Sequence, residues 1–225
     1  MCHRYIQTAS WQQVLELYQL PLRVPQPLAF QPRYNIAPFQ KAPVLRMSNG
    51  ERRIVSMYWD LTPEFRSPRR KARRGINVEV ETIATACYPA WKARRCLVLA
   101  NGFYEWRPTA TPGGTQPYLT RFRDWRPFSF GGVWESSIDP VTRKAADRFA
   151  IITAPTQESS DSGQSRLPLI IDRLHYIRWL TAAEPPADLL HIHPSSKMIA
   201  YPVSRRVNSP TSHGPGLIES VNTPG

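Results

Sequence analysis

A short amphipathic helix is predicted near the start of the chain by the spacing of its apolar residues. They recur at intervals of three and four positions, which places side chains on one helix face: Trp11, Val14, Leu15 and Tyr18. Thr8 or Ser10 can cap the first turn, and Pro21 ends the pattern. A second helix is predicted after a capping Asp172, with an apolar face formed by Leu174, Ile177 and Leu180.

Most other apolar residues fall in short runs that are typical of β-strands. Asn49-Gly50 separates the runs at 42–47 and 53–59, and this dipeptide is a strong hairpin signal. Asn101-Gly102 follows the run at 96–100 in the same way, which predicts a second hairpin with the strand after it. Further strands are predicted over residues 1–7, 118–122, 128–132, 149–153, 167–171 and 197–203.

Composition narrows the class of protein. The 225 residues include 23 prolines, about twice the usual ~5%, which argues against a helical bundle. No apolar run approaches the ~18 residues of a membrane span, and no secretory signal is recognisable. Three cysteines are too few for a disulfide framework, so a reducing, cytoplasmic location is expected. No repeat or linker divides the chain, and a single domain follows.

The charge balance favours a polyanionic partner. Lys and Arg total 29 against 17 Asp and Glu, a net charge of +12. Such an excess favours nucleic acid as the partner, because basic side chains that bind its phosphates release the counterions held there. Residues 66–74 carry six basic side chains in nine positions, either a phosphate-binding run or a solvated loop. Aromatic and basic residues also interleave at 91–95 and 121–126, where they either stack bases or form core strands with charged outer faces.

Cys2 is the first candidate for chemistry. Loss of the initiator Met1 would leave an α-amine and a thiol on adjacent carbons, and an α-amine with a pKa of about 7.7–8.0 is partly nucleophilic at neutral pH. Such an aminothiol condenses with an aldehyde, first to an imine and then to a thiazolidine ring. An ordinary cysteine at position 2 is the alternative, and Cys87 and Cys96 fit buried structural thiols.

Glu105 is the second candidate, because it lies among aromatic residues in Phe103-Tyr104-Glu105-Trp106. A carboxylate in such a setting suits a general acid/base, but a strand residue that alternates toward water fits equally well. The histidines predict no metal site. His191 and His193 form the only close pair, and no carboxylate or cysteine stands at ligand spacing beside them.

Taken together, these segments resemble the SOS-response-associated peptidase (SRAP) family, the abasic-site processing proteins. The resemblance extends over about residues 2–208, and its joint order is more specific than any single piece. It is carried by Met1-Cys2-His3-Arg4, Arg33-Tyr34-Asn35-Ile36-Ala37-Pro38, Asn77 through Glu81-Thr82, Arg95-Cys96-Leu97-Val98, Gly102-Phe103-Tyr104-Glu105-Trp106, Gln116-Pro117-Tyr118, Gly132-Val133-Trp134-Glu135, Ile152-Thr153, Arg166-Leu167-Pro168, Val203-Ser204 and Val207-Asn208.

The resemblance implies a covalent sensor of abasic sites in single-stranded DNA. Family members capture the ring-opened sugar aldehyde on the N-terminal cysteine as a thiazolidine, after the autopeptidase step that removes Met1. By position, the catalytic residues would be Cys2, Asn77, Glu105 and Gln164. Contacts to DNA would come from Arg4, Asn35, Thr153, Arg166 and four arginines of the basic run, Arg69, Arg70, Arg73 and Arg74.

This sequence also departs from the family pattern. His3 and Asp60 stand where the family usually has glycine. Glu79 replaces an arginine that would contact phosphate. Gln164 replaces a histidine, which removes a group able to exchange protons near neutral pH. The aromatic wedge of the family is reduced to Phe65, and the basic run beside it is expected to replace the lost contacts.

The resulting expectation is an α+β fold in which a strand-rich core forms a partly closed β-barrel-like sheet with flanking helices. Residues 1–208 would form the domain and residues 209–225 a loose C-terminal tail. We expect a monomer without cofactor, metal or membrane partner, cytoplasmic and associated with the nucleoid after DNA damage, with possible lyase-type activity. Two alternatives stay open, a noncatalytic DNA-binding paralogue and a cysteine-dependent autopeptidase or hydrolase.

Overall fold

The computed structural model describes residues 2–27, 30–61, 75–138, 143–156 and 166–222. Strands are the main secondary structure of these residues, as the apolar runs predicted. In chain order the strands are β1 (Tyr5–Gln7), β2 (Arg33–Ile36), β3 (Lys41–Ser48), β4 (Glu51–Trp59), β5 (Asn77–Glu79), β6 (Arg95–Ala100), β7 (Gly102–Pro108), β8 (Thr115–Phe122), β9 (Phe128–Ile138), β10 (Ala145–Pro155), β11 (Arg166–Pro168), β12 (Ile170–Ile171) and β13 (Met198–Pro202).

Five of these strands close into a barrel. The β3–β4 hairpin turns at Asn49-Gly50, where both residues have positive φ, as the sequence predicted. β3 also pairs with β6, β6 with β9, and β9 with β10. The parallel pairing of β10 with β4 completes the ring, at Arg148 opposite Tyr58 and Phe149 opposite Trp59. The predicted α+β fold with a strand-rich barrel core is therefore confirmed, and the ring is closed.

A second sheet of five strands packs against this barrel in the order β13-β8-β7-β1-β2. One face contributes Tyr5, Phe103 and Phe122 to the apolar core that it shares with the barrel. The opposite face packs against Val203 and Val207 from the C-terminal part of the chain. The N-terminal strand β1 lies inside this sheet, between β2 and β7, so the start of the chain is built into the core.

The hairpin predicted at Asn101-Gly102 was wrong. β6 ends in the barrel, whereas β7 pairs with β8 and β1 in the other sheet. Asn101 Oδ1 accepts hydrogen bonds from the backbone N–H groups of Thr8, at 2.8 Å, and Ala9, at 2.9 Å. A Cβ on Gly102 would lie 2.9 Å from the carbonyl oxygen of Thr120. Asn101-Gly102 therefore connects a strand of the barrel to a strand of the second sheet, and close packing against Thr120 requires glycine at position 102.

Within the described residues, four short α-helices flank the sheets: α1 (Trp11–Tyr18), α2 (Ile83–Ala86), α3 (Tyr88–Ala93) and α4 (Tyr176–Thr181). Of the two predicted caps, Thr8 and Ser10, it is Ser10 that caps α1, through a capping box. Asp172 also caps, but it caps a 3₁₀ turn at 173–175 before α4 begins. The predicted face was wrong in two of its three residues: Leu174 and Ile177 are exposed, whereas Leu180 is buried together with Tyr176 and Trp179. None of the described helices could span a membrane.

The C-terminal segment differs from the loose tail expected for residues 209–225. Described residues up to 222 fold back onto the outer face of the five-stranded sheet. Leu217 is buried, Val203 forms a bridge with Ser220, and the hydroxyl of Tyr201 donates a 2.9 Å hydrogen bond to the carbonyl of Ile218. The apolar residues of this segment follow neither helix nor strand spacing, yet Leu217 packs against the sheet. Residues 223–225 lie outside the described part of the chain.

The structure explains how the acidic residue Asp60, at the end of β4, is accommodated. Its side chain is 2% exposed and accepts a 2.9 Å hydrogen bond from the guanidinium of Arg148, which is itself 8% exposed. Arg148 lies on β10 opposite Tyr58, so the ion pair spans the parallel β4–β10 seam that closes the barrel. The acidic residue that departs from the family pattern is thus neutralised within the fold.

We expect Asp60→Ala to lower the free energy of unfolding by about 3–5 kcal/mol, because Arg148 would keep a buried charge without this carboxylate. Urea unfolding followed by tryptophan fluorescence measures the change. Asp188→Ala is the control, since Asp188 pairs with Arg178 at 2.6 Å on the surface. Its expected cost is below about 1 kcal/mol. Equal losses in the two variants would contradict this account of the seam.

Candidate active site

Cys2 lies just before β1, where the five-stranded sheet meets the barrel. Its side chain is 2% exposed and belongs to the apolar core that also contains Trp59 and Ile151. The thiol approaches the carbonyl oxygen of Arg4 at 4.0 Å. Burial is the main reason that the pKa of the Cys2 thiol rises to about 12, and the negative charge of Glu105 adds to the rise. The sulfur is therefore a protonated thiol at neutral pH.

Asn77 reaches Cys2 from the barrel side. β5 continues along β10 beyond the point where β4 ends, and it pairs in parallel with Asn77 opposite Ile151. This register directs the Asn77 amide to the N-terminus, where Nδ2 donates a 2.8 Å hydrogen bond to the carbonyl oxygen of Cys2. The amide oxygen Oδ1 is buried and has no hydrogen-bond partner among the described residues. The amide therefore anchors Cys2 and keeps an acceptor for another molecule.

Glu105 approaches from the neighbouring strand, because β7 pairs directly with β1. Its side chain is 6% exposed, so it does not alternate toward water. The hydroxyl of Thr120 donates a hydrogen bond to Oε2, and the guanidinium of Arg107 lies 3.8 Å from the same oxygen. Oε1 is buried without a hydrogen-bond partner in the described part of the chain. Its negative charge also contributes to the raised pKa of the Cys2 thiol.

Arg4 and Asn35 lie close together but are engaged by the C-terminal segment. Arg4 donates to Oδ1 of Asn35 at 3.0 Å and to the carbonyls of Val207 and Asn208 at 2.8 and 3.1 Å. Asn35 Nδ2 donates to the carbonyl of Ser209 at 2.9 Å. Both side chains were expected to contact DNA. In this structure their donors connect the residue before β1 and the strand β2 to residues 207–209.

Thr153 and Arg166 also come together, next to the strand that carries Asn77. Arg166 donates to Oγ1 and to the carbonyl oxygen of Thr153, at 3.3 and 2.8 Å. It pairs through two hydrogen bonds, of 3.0 and 2.7 Å, with the carboxylate of Glu81, and Glu79 lies 3.8 Å from its Nε. This ion pairing raises the pKa of Arg166 and lowers the pKa of Glu81. The charge of Glu79 is therefore balanced by Arg166, as the charge of Asp60 is balanced by Arg148.

Several predicted site residues lie outside the described part of the chain. They are Phe65, Arg69, Arg70, Arg73, Arg74 and Gln164, together with Met1. Of the interleaved aromatic and basic residues, Trp91 and Arg95 are buried and Arg95 donates to backbone carbonyls, so this pair serves the core. No group of three or more His, Cys, Asp or Glu side chains among the described residues could hold a metal ion.

Sequence reasoning missed two residues of the site, Thr120 and Arg107. Arg107 is two positions from Glu105 on β7, and strand alternation places both on one face. Thr120 lies on β8, one diagonal step from Glu105, because Phe103 pairs with Thr120 and Glu105 with Tyr118. The alternation signal could have identified Arg107. The β7–β8 register that brings in Thr120 is not readable from a single sequence.

Comparison with known proteins places this site in a family context. Residues 1–210 match the family model described as SOS response associated peptidase (SRAP). Abasic site processing protein YoqW of Bacillus subtilis (strain 168) is 26% identical over 228 residues, which cover 98% of this chain and 100% of that protein. Abasic site processing protein HMCES of Gallus gallus is 28% identical over 227 residues, which cover 85% of this chain and 67% of that protein.

The fold is also found among solved structures. A protein from Bacteroides thetaiotaomicron superposes with a TM-score of 0.79 at 22% sequence identity, over 98% of this chain and 100% of that chain. A phage-related protein from Bordetella bronchiseptica gives a TM-score of 0.72 at 22% identity, over 91% and 95% of the two chains. These likenesses concern the fold alone. Because the family match extends over nearly the whole sequence, the chain belongs to the SOS response associated peptidase (SRAP) family.

Proposed function

We propose that this protein processes abasic sites in single-stranded DNA by crosslinking to them through Cys2 after removal of Met1. The observation that carries the proposal is the meeting of three groups at the N-terminus. Asn77 donates a 2.8 Å hydrogen bond to the Cys2 carbonyl, and Glu105 lies on β7, which pairs with the strand that follows Cys2. The names of the relatives YoqW and HMCES as abasic site processing proteins support the same function.

The chemistry follows from the two nucleophiles of a free N-terminal cysteine. A neutral α-amine adds to the aldehyde carbon of the ring-opened sugar, and loss of one water gives an imine. The thiol then adds across the C=N bond: sulfur bonds to carbon, and its proton passes to nitrogen. The amine reacts first, because imine formation creates the C=N bond that the thiol then attacks. The product is a thiazolidine that joins protein and DNA.

Glu105 and Asn77 have separate roles in this scheme. The sugar of an abasic site is mainly a closed hemiacetal, so a base must take the proton of its C1′ hydroxyl and an acid must protonate O4′ before the aldehyde is free. Glu105 is the group placed for these transfers, since its Oε1 is buried with no hydrogen-bond partner among the described residues. Asn77 fixes the Cys2 backbone, and its Oδ1 remains to accept a hydroxyl of the sugar.

The proposed DNA contacts are argued from the charge of the protein, because the arginines of the basic run lie outside the described residues. The net charge of +12 favours a phosphate backbone as partner. Arg4, Asn35 and Arg166 have donors engaged within the protein, which shifts the expected phosphate contacts toward Arg69, Arg70, Arg73 and Arg74. Thr153 and Gln164 stay predicted site residues. Preference for single strands, the monomeric state, nucleoid association, and autopeptidase and lyase-type activities belong to this proposal.

The noncatalytic paralogue is the weaker alternative. Its best support was the replacement of basic or titratable family residues by Glu79 and Gln164. Glu79, however, lies 3.8 Å from Arg166, so its charge is balanced within the protein. Asn77 is hydrogen-bonded to Cys2, and Glu105 lies on β7, which pairs with the strand after Cys2; this arrangement supports the covalent reaction over the noncatalytic alternative.

We expect Cys2→Ala to abolish the heat-stable adduct with abasic single-stranded DNA, because alanine retains an amine but has no thiol to close the ring. At most a borohydride-reducible imine would form. Denaturing gels after heating, with and without borohydride, distinguish the two products. Cys87→Ala, in a separate part of the core, should crosslink like wild type. A wild-type amount of heat-stable adduct from Cys2→Ala would rule out the thiazolidine.

Glu105→Gln should slow adduct formation by about 10²–10⁴-fold, the usual contribution of a positioned acid/base, with little change in DNA affinity. Single-turnover crosslinking gives the rate, and fluorescence anisotropy gives the affinity. Glu135→Gln is the matched control, since Glu135 is a buried strand carboxylate that pairs with Arg94 at 3.3 Å. If both variants react at the wild-type rate, Glu105 has no catalytic role.

A further inference from the structure

The two oxygens of the Glu105 carboxylate have different surroundings. Oε2 accepts the hydroxyl proton of Thr120 and lies 3.8 Å from the guanidinium of Arg107. Oε1 is buried but has no hydrogen-bond partner among the described residues. A buried carboxylate oxygen without a partner is costly, and it is usually retained where a ligand or a reacting group supplies the partner. The carboxylate is thus held by one oxygen and available through the other.

The sheet register explains why Thr120 is the residue that holds Oε2. Phe103 pairs with Thr120 and Glu105 with Tyr118, so these side chains share the face of the β7–β8 pair that looks toward the barrel core. Arg107 lies over the ring of Tyr118 at 4.3 Å, which places its guanidinium beside Glu105. Thr120 is also β-branched, so its hydroxyl has few rotamers and its direction is well defined.

We propose that Thr120 is a positioning residue for the crosslinking reaction. Its hydroxyl binds Oε2 and fixes the rotation of the Glu105 carboxylate, so that Oε1 takes the proton of the C1′ hydroxyl of the sugar. As that proton leaves, the C1′ carbonyl forms and the C1′–O4′ bond breaks. O4′ receives the electron pair and then the proton from Glu105. The inference rests on the proposed function and adds to it the residue that orients the base.

The experiment compares variants of Thr120 on abasic single-stranded DNA. Thr120→Val keeps the shape and removes the hydroxyl, Thr120→Ala provides a second deletion, and Thr120→Ser keeps the donor. Thr115→Val, on the same strand but at the exposed end, is the matched control. Crosslinking rates are measured at saturating DNA, and affinity is measured with a tetrahydrofuran analogue that has no C1′ hydroxyl. Circular dichroism melting identifies any variant that has lost its fold.

We expect Thr120→Val and Thr120→Ala to crosslink about tenfold or more slowly, the effect of losing a hydrogen bond to a charged group, with unchanged affinity for the analogue. Thr120→Ser should stay within about threefold of wild type. In a Glu105→Gln background, Thr120→Val should cause no further loss, because the residue acts only through Glu105.

Three results would overturn the inference. A folded Thr120→Val protein that reacts at the wild-type rate would show that the hydroxyl is not needed. Effects of Thr120→Val and Glu105→Gln that multiply in the double variant would show that Thr120 acts independently of Glu105. Loss of affinity for the analogue without loss of rate would make Thr120 a DNA contact. If wild type forms no heat-stable adduct, the proposed function fails and this inference with it; the other results leave that function intact.

Discussion

The pairing of β1 between β2 and β7 is the constraint on which the candidate site depends. N-termini usually fray, because a terminal segment gains little by ordering. Here the three residues of β1 have both edges paired, and Tyr5 and Ile6 are fully buried on opposite faces of the sheet. Arg4 adds an anchor through the carbonyls of Val207 and Asn208. The backbone that leads to Cys2 is therefore held by both neighbouring strands and by the C-terminal segment.

Two sheets then bring one group each to the fixed terminus. The barrel supplies Asn77 through β5, and the five-stranded sheet supplies Glu105 through β7. The C-terminal segment closes the outer face of the second sheet and engages Arg4 and Asn35. The two acidic residues that depart from the family pattern are balanced locally, Asp60 by Arg148 and Glu79 by Arg166. The fold accommodates these charges without disturbing the groups around Cys2.

Local signals made part of this fold predictable from the sequence. The Asn49-Gly50 hairpin and the Ser10 cap were correct because each depends on a few adjacent residues. The prediction of a hairpin at Asn101-Gly102 was wrong because β6 pairs with β3 and β9 in the barrel. These pairings depend on long-range packing and not on the dipeptide. The packed segment at 209–222 was missed because several of its contacts, such as those of Asn35 with Ser209 and of Tyr104 with Leu217, join residues more than 100 positions apart.

The candidate site shows the same division between local and long-range information. Cys2 and Glu105 could be singled out from their chemistry and immediate neighbours, and the resemblance to a family added Asn77. Thr120 and the engagement of Arg4 by the C-terminal segment depend on strand register and on contacts across about 200 residues of sequence. Such contacts have no signature in one sequence.

The intact mass of the protein, before and after incubation with an abasic single-stranded oligonucleotide, tests the central claim most directly. The account predicts that the purified protein lacks one methionine. It also predicts a heat-stable product whose mass is that of protein plus oligonucleotide less one water, with the DNA mapped to the Cys2 peptide. A protein that retains Met1 and gives no such product, or an adduct mapped to another residue, would contradict it.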